Sequence, residues 1–600
     1  MLAASLFFSL LGFYLAWSTP YAAVLAHHLC TEYSHPDAEM GQSVVFSVLM
    51  LTAAAACAVR NSLASVAGPP RPNTGIDGRP FPPLIEANLE DLVGGLESGR
   101  FTSVDLVNAY VDRILEMNST LRMVTELNPD ALAIAADLDA ARAKGINYGP
   151  LHGIPILIKN NMATDDRMNT TAGSYALLGA KVPRDSTMAT KLRKAGAVIL
   201  GKTNISQWAN YRSFNTSNGW SAHGGQTLAA YYPRQDPSGS SSGSGVACSL
   251  GLALACLGTE TDGSILAPSN VNNLVGIKPS VGLTSRYLVV PISEHQDTIG
   301  PMARSVKDAA YLLSAIAGRD PRDNYTSAIP FDVVPDYTAA CDYFALKGKR
   351  IGVPRNLIDA RGPRAAIMPI FNAALDTLRS AGATVVEDIT LPGYELLSQG
   401  GFETLVLDAD FVTDLARYFS ELSVNPFNIT SLGLLQAFTQ KSPLESYPER
   451  DTLIWDGALD LGHGNESPAF WGNYTRQLHY AGPLGITGAL KNHSLDALVV
   501  PTSFAPFLPA LIGSPVVSVP LGSYPPNTTV VRNKFGTLNA IAPNIPFGIS
   551  FMGEHFSEEK LIGLAYAFEQ RTMARNKIVP YTQPTTELAD IVSRRKKGGI

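Results

Sequence analysis

One stretch of the chain, residues 239–264, joins a run of small apolar residues to two turns rich in serine and glycine. It reads GSSSGSGVACSLGLALACLGTETDGS and predicts one short helix, with a serine-containing turn at either end. Small side chains let neighbouring backbones approach closely, and Gly258 and Gly263 permit main-chain conformations that other residues resist. Such a turn directs NH groups to one point beside an exposed hydroxyl. Acyl-transfer chemistry requires that arrangement of a nucleophile and its oxyanion hole.

Several separate motifs resemble those of the amidase signature family. Residues 239–264 match, without a gap, the family's GGSSGGS, its small-residue helix and its GTDTGGSIR. Upstream, HGIPILIKNN at residues 152–161 is similar to the family's GIPIAVKDN. Further matches follow in the family's order, at residues 201–209, 276–286, 297–308 and 546–553. Because several motifs recur in the right order, the signal is stronger than that of any single glycine-rich loop.

The resemblance implies a Ser-Ser-Lys site. It places Lys159 on the family's catalytic lysine, Ser240 on its bridging serine and Ser264 on its nucleophile. It also implies that the backbone NH groups of Thr261, Asp262 and Gly263 hold the oxyanion. Ser241 would then orient the bridging serine, Ser240. Lys159 ends a predicted buried strand, residues 154–158, where desolvation lowers the pKa of a lysine, as a general base near neutrality requires.

Four positions depart from the family pattern. Ser242 and Asp262 replace glycines, Glu260 stands where Asp is usual, and Leu266 replaces an arginine. The last two are linked, since a carboxylate and an arginine so close in sequence are able to pair. For Asp262 two outcomes are open. The carboxylate either points into the cleft and disfavours anionic acyl groups, or points away and fixes the turn through a hydrogen bond.

Rival interpretations of the same stretch are weaker. A flexible Ser/Gly linker fits residues 238–245 by composition, but linkers rarely run directly into a buried helix. GSSSG at residues 239–243 satisfies the nucleophile elbow of α/β-hydrolases with Ser241 as nucleophile, but that elbow needs a buried strand before it, and YYPRQDP precedes it here. His295 and Asp297 are interpreted as a loop residue and part of a family motif, not as triad partners. No GK[ST] follows the glycines, which excludes a phosphate loop.

Composition narrows the classes of function. The 600 residues are 46% hydrophobic and 16% charged, which describes a globular chain with an ample core. A net charge of -6 offers no basic surface for nucleic acid, and the short basic cluster at residues 594–597 is predicted to be solvated. The five cysteines lack CxxC and zinc-type spacing, so no metal is implied. Cys248 and Cys256 are predicted to be buried small hydrophobes on the central helix.

The N-terminus predicts a membrane-engaging segment. Residues 2–17 and 43–59 are apolar runs, although neither begins with positive charge. The loop between them carries three acidic residues and no Lys or Arg, which disfavours a two-span hairpin with a lumenal enzyme. One signal sequence is the preferred interpretation, formed by the first run or, if translation begins at Met40, by the second. A buried helical hairpin is the alternative.

Asparagine sequons point to the same compartment. Asn-x-Ser/Thr occurs ten times, at Asn118, Asn169, Asn204, Asn215, Asn324, Asn428, Asn465, Asn473, Asn492 and Asn527. Residue frequencies predict about four by chance, so the excess predicts a glycosylated protein of the secretory pathway, either secreted or anchored to a membrane through its N-terminus. Asn204 lies inside a family motif and is expected to be bare.

Strands and helices alternate along the rest of the chain. Strands are predicted at residues 154–158, 197–201, 350–353 and 497–500, and helices at residues 102–117, 130–144 and 363–381. This alternation predicts an α/β fold. The resemblance implies one large domain with a mixed sheet covered by helices on both faces. We divide the chain into an N-terminal targeting or membrane-anchor region (1–67), a Pro/Gly-rich linker (68–83), an amidase domain (84–592) and a basic tail (593–600).

The function implied by the resemblance is hydrolysis of the C–N bond of a small-molecule carboxylic amide, through an acyl-enzyme and without a cofactor. Two other classes stay open. One is a secreted protein that keeps the fold with little activity, which the presence of Lys159, Ser240 and Ser264 disfavours. The other is an amidotransferase-type subunit acting on charged tRNA, which the sequons and the apolar N-terminus disfavour.

Overall fold

A large mixed β-sheet runs through the protein. The computed structural model describes residues 74–75 and 78–598, which belong to one compact unit. The apolar N-terminal runs and half of the predicted linker lie outside the described residues. Among the described residues, no helix combines the length and apolar character needed to cross a membrane.

The strands, in chain order, are β1 (Val124–Leu127), β2 (Pro155–Lys159), β3 (Val198–Thr203), β4 (Trp220–Ser221), β5 (Gly225–Gln226), β6 (Ala255–Glu260), β7 (Val275–Lys278), β8 (Thr298–Ala303), β9 (Arg350–Pro354), β10 (Thr384–Ile389), β11 (Ala497–Pro501), β12 (Val516–Ser523), β13 (Val531–Arg532), β14 (Asn539–Ile541) and β15 (Pro546–Met552). The large sheet has the order β1-β3-β2-β6-β8-β7-β12-β15-β11-β9-β10. β2 is parallel to β3 and β6, and β9 to β10 and β11, whereas the other pairs are antiparallel.

Helices flank this sheet. They are α1 (Leu89–Glu97), α2 (Ser103–Leu121), α3 (Ala131–Ala143), α4 (Thr187–Lys194), α5 (Ser242–Ser249), α6 (Leu266–Val271), α7 (Val306–Ile316), α8 (Met368–Ser380), α9 (Pro392–Ser398), α10 (Phe402–Ser420), α11 (Leu432–Lys441), α12 (Leu453–Asp460), α13 (Pro468–Ala481), α14 (Ile486–Asn492), α15 (Phe507–Ile512), α16 (Glu558–Thr572) and α17 (Leu588–Gly598). The predicted α/β class, with a large mixed sheet in a single large domain, is confirmed.

The predicted elements shift by a few residues at their ends. The helix predicted at 102–117 is α2, which runs on to Leu121 and begins with a capping box in which the side chains of Thr102 and Asp105 each accept the other's NH. The helix predicted at 363–381 is shorter, because a 3₁₀ turn over Gly362–Ile367 precedes α8. The last helix extends into the predicted basic tail, where Arg594 and Arg595 lie 2.7 and 2.5 Å from acidic side chains of α2.

The single helix predicted for the small-residue run is wrong. The run forms α5 and then β6, because Gly251, in the left-handed conformation at φ +61°, reverses the chain between them. Cys256 therefore lies on a strand and not on the helix with Cys248, although both thiols are buried as predicted. Helix periodicity cannot separate a buried helix from a buried strand in a run this apolar.

Sheet register brings the two halves of the site together. β2 pairs with β6 in parallel, with Ile158 opposite Leu257. Parallel strands end at the same edge of a sheet, so Lys159 at the end of β2 lies beside the end of β6 and the turn that follows it.

Candidate active site

Lys159 is wholly enclosed at the end of β2, with 0% of its surface exposed. Its Nζ lies 2.8 Å from the Oγ of Ser240, 2.8 Å from the Oγ1 of Thr259 and 3.1 Å from the carbonyl oxygen of Thr259. Burial lowers the pKa of Lys159 well below its usual value, and the carboxylates of Asp297 and Glu260 offset part of that shift. The site therefore favours the neutral amine, which is able to accept a proton.

Ser240 and Ser241 precede α5 and face the end of β6. Both side chains are buried, and the Gly239–Ser240 peptide bond is cis. The Oγ of Ser241 donates to the carbonyl oxygen of Thr259 at 3.1 Å and accepts the NH of Thr259 at 3.3 Å. Ser241 thus joins the start of α5 to the end of β6, where Thr259 contacts Lys159. No hydrogen bond joins its hydroxyl to that of Ser240 in the described part of the chain.

Ser264 lies on the turn that follows β6. Its carbonyl oxygen accepts the NH of Ser241 at 3.2 Å, which holds the two serine segments side by side. Its residual exposure is 7%. Within residues 78–598 its hydroxyl makes no hydrogen bond, so it stays available to a substrate, and it has no direct hydrogen bond to Ser240.

Backbone and carboxylate contacts shape the turn between Glu260 and Ser264. The Oε2 of Glu260 accepts the NH groups of Ile265 at 2.7 Å and Leu266 at 2.8 Å. Burial raises the pKa of Glu260, which nearby Lys278 and these NH groups partly counteract. The carboxylate thus binds the backbone at position 266, where the family arginine would offer its side chain.

The predicted oxyanion residues lie on this turn. Gly263 has φ +80°, a conformation that favours glycine, and its NH also faces the Glu260 carboxylate. The side chain of Thr261 donates to Asp297 at 2.5 Å, which anchors the start of the turn. Among the described residues, the NH groups of Asp262 and Ser264 have no acceptor, so both are available to a substrate carbonyl.

The side chain of Asp262 is exposed, whereas its neighbours on the turn are buried. Desolvation raises the pKa of Asp262 above its usual value, and the carboxylates of Glu403 and Glu260 raise it further. Burial likewise raises the pKa of Glu403, on α10, to about 7, and Gln296 donates to its carboxylate at 3.2 Å. Two carboxyl groups from distant parts of the chain are therefore close enough to interact beside Ser264.

His295 and Asp297 serve the scaffold. His295 is buried, with its Nδ1 3.0 Å from Asp410 on α10, and it packs against the rings of Phe470 and Tyr474. The carboxylate of Asp297 accepts hydrogen bonds from the hydroxyl of Thr261 and from two backbone NH groups. Neither side chain hydrogen-bonds a serine of residues 240–264 in the part of the chain that the structure describes.

Sequence reasoning missed Thr259, Asn161 and Glu403. Thr259 holds the lysine, and Asn161 donates to the Oγ1 of Thr259 at 3.1 Å. A cavity of about 290 Å³ adjoins these two residues, together with Thr261 and Asp297, on the lysine side of the site. Thr259 and Asn161 lie inside the matched motifs, so the motifs could have identified them as site residues. Glu403 is distant in sequence and carries no such signal.

No group of three His, Cys, Asp or Glu side chains is placed to hold a metal ion among the described residues. The chemistry available to this arrangement is proton transfer between an amine and hydroxyls, beside free backbone NH groups. That chemistry suits attack of a serine on a carbonyl carbon.

Comparison with known proteins identifies the family. The model of the Amidase family matches residues 105–562. A putative amidase of Arthroderma benhamiae is 55% identical over 533 residues, which cover 85% of this chain and 90% of the relative. A probable amidase of Arabidopsis thaliana is 38% identical over 500 residues, 82% of this chain and 91% of the relative.

A solved structure extends the similarity to three dimensions. The native peptide amidase from Stenotrophomonas maltophilia has a TM-score of 0.75 and 41% identity, covering 85% of this chain and 100% of that one. The chain therefore belongs to the amidase signature family and is an amidase, a hydrolase of carbon–nitrogen bonds.

Proposed function

We propose that this amidase uses Lys159, Ser240 and Ser264 as a catalytic triad and forms an acyl-enzyme on Ser264. The observation that carries the proposal is the 2.8 Å contact between the Nζ of Lys159 and the Oγ of Ser240 at a fully buried position. Burial lowers the pKa of this amine, and a lowered pKa favours its neutral form, which is the form that acts as a general base.

The contacts of Lys159 give the proton a direction. A neutral amine has two NH groups and one lone pair, and Thr259 offers two acceptors, its carbonyl oxygen and its Oγ1. With both NH groups donated to Thr259, the lone pair points to the hydroxyl of Ser240. Lys159 then accepts the proton of Ser240, which in turn accepts the proton of Ser264.

Attack by Ser264 completes the first half of the reaction. The Oγ of Ser264 bonds to the carbonyl carbon, and the developing oxyanion accepts the NH groups of Asp262 and Ser264 on the turn. The C–N bond breaks as Ser240 passes its proton to the leaving nitrogen. Water then attacks the ester on Ser264, with the same base removing its proton, and releases the acid.

We propose peptide-like carboxamides as the substrate class. The support is the extent of the likeness to the Stenotrophomonas peptide amidase, 41% identity over its whole length. The test is ammonia release from a panel of short peptides that carry a C-terminal amide, against simple fatty and aromatic amides as the matched series. A larger kcat/KM for the peptide amides than for the simple amides supports the assignment. A preference for the simple amides overturns the substrate class while leaving amide hydrolysis intact.

Charge selectivity is expected to follow Asp262 and Glu403. Both pKa values are raised, Glu403 to about 7, so the pair gains negative charge as pH rises through that value. Peptide amides with a lysine side chain should therefore gain in kcat/KM over matched glutamate peptides as pH rises from 6 to 8, by about tenfold for one charge interaction in a partly solvated site. The measurement is the ratio of the two values at each pH.

Asp262→Asn keeps the shape of this side chain and removes its charge, so the ratio should fall, while the charge that remains on Glu403 keeps it above one. Asp376→Asn, on the exposed face of α8, is the matched control and should leave the ratio unchanged. An equal or higher kcat/KM for the glutamate peptide in the unaltered protein defeats this selectivity.

A further inference from the structure

The structure divides the sequons by whether their asparagine amide is free. Asn204 is 0% exposed, and its Nδ2 donates to the Oγ1 of Thr227 at 2.9 Å and the carbonyl oxygen of Gly225 at 3.1 Å. Asn465 is 4% exposed, and its Nδ2 donates to Asp410 at 2.9 Å and Glu294 at 3.1 Å. A glycan on either nitrogen has no room and breaks buried hydrogen bonds, so the folded protein excludes it.

Two further sequon amides brace the scaffold. Asn118 donates to the carbonyl oxygen of Val124 at 2.8 Å and accepts the NH of Val124 at 2.9 Å, which ties α2 to β1. Asn169 accepts the NH of Gly179 at 3.1 Å and donates to Glu126 at 3.3 Å. These side chains already use both ends of the amide.

Four exposed sequon asparagines have side-chain amides that make no hydrogen bond within the described residues: Asn324, Asn428, Asn492 and Asn527. Each lies at the end of an element or in a loop. One begins a 3₁₀ turn, one precedes α11, one ends α14, and one lies between β12 and β13. Glycans belong on such surface positions, because a bulky, hydrated group there displaces no packed side chain.

We propose that Asn324, Asn428, Asn492 and Asn527 carry N-linked glycans, and that Asn204 and Asn465 stay bare. In each modification, the Nδ2 of the asparagine bonds to the anomeric carbon of an oligosaccharide held on a lipid diphosphate. The bond from that carbon to the diphosphate oxygen breaks, the lipid diphosphate leaves, and Nδ2 loses one proton. The ten sequons and the apolar N-terminus motivate entry into the compartment where this donor is found. The proposal is independent of the catalytic one.

The test uses the full chain expressed in yeast, with its own N-terminal segment as the targeting signal. Glycans are released with peptide-N-glycosidase in ¹⁸O water, which converts each glycosylated asparagine to ¹⁸O-labelled aspartate, and peptides are read by mass spectrometry. We expect the label at Asn324, Asn428, Asn492 and Asn527 and none at Asn204 or Asn465. Label at Asn204 or Asn465 in folded protein, or a secreted chain without any glycan, overturns the proposal, as does recovery of the chain unglycosylated in the cytosol.

A matched pair of variants isolates one site. Thr430 is the exposed third residue of the Asn428 sequon. Thr430→Ala removes the sequon and should lower the mass of the secreted chain by one glycan, whereas Thr430→Ser preserves the sequon and the mass. Equal masses for Thr430→Ala and the unaltered chain contradict modification at Asn428. Since neither change touches the catalytic groups, amide hydrolysis serves as the check that both variants fold.

Discussion

Ser264→Ala is expected to abolish covalent labelling by a fluorophosphonate and to lower amide hydrolysis by on the order of a thousandfold or more, because the nucleophilic oxygen is gone while the turn keeps its shape. Ser264 alone combines a hydroxyl without a hydrogen-bond partner, in the described part of the chain, with backbone NH groups on the same turn. The measurement is gel fluorescence of the labelled protein together with kcat/KM for a peptide amide.

Peptide mapping of the labelled protein makes this prediction site-specific. The adduct should lie on Ser264, and an adduct on Ser241 contradicts the assignment and revives the nucleophile elbow. Ser249→Ala is the matched control. Its hydroxyl lies at the far end of α5 and contacts the hydroxyl of Tyr231 at 2.8 Å, away from the turn, so labelling should persist.

Lys159→Met is expected to lower kcat by on the order of a hundredfold or more, the usual scale for loss of a general base. Methionine fills the buried space with an unbranched apolar chain, so the fold should survive. In the unaltered protein, activity should rise with pH as Lys159 loses its proton. Because burial holds the pKa of Lys159 well below 10.5, the rise comes at a correspondingly lower pH. In Lys159→Met that rise should vanish.

Lys202→Met provides the comparison. Lys202 is also fully buried, on β3 beside β2, and its Nζ donates to the carbonyl oxygen of Met162 and to Thr170. Burial lowers its pKa to about 8. Its loss should lower Tm without removing the pH-dependent rise in kcat. Near-normal kcat in Lys159→Met, or the same pH profile in both variants, refutes the role of Lys159.

Contiguous motifs explain how much was predictable. The family, the fold class and the candidate positions Lys159, Ser240 and Ser264 all follow from short stretches whose residue types and spacing are visible in one dimension. The contact between Lys159 and Ser240 then depends only on two neighbouring strands ending at one edge of the sheet. The boundary between α5 and β6 was not predictable. A run that is buried on all sides is apolar at every position, so it shows neither the helix period nor the strand period of polar and apolar residues.

What the sequence by itself determined is the family, an amidase, and with it the residues that we propose as nucleophile, base and oxyanion turn. Tertiary structure decided their surroundings. Thr259 holds the lysine, Glu260 binds the backbone at Leu266, and Glu403 approaches Asp262 from a helix far along the chain. The physical reason is that residue types and spacing are local, whereas pKa values and exposure depend on groups that only the packed fold brings within a few ångströms.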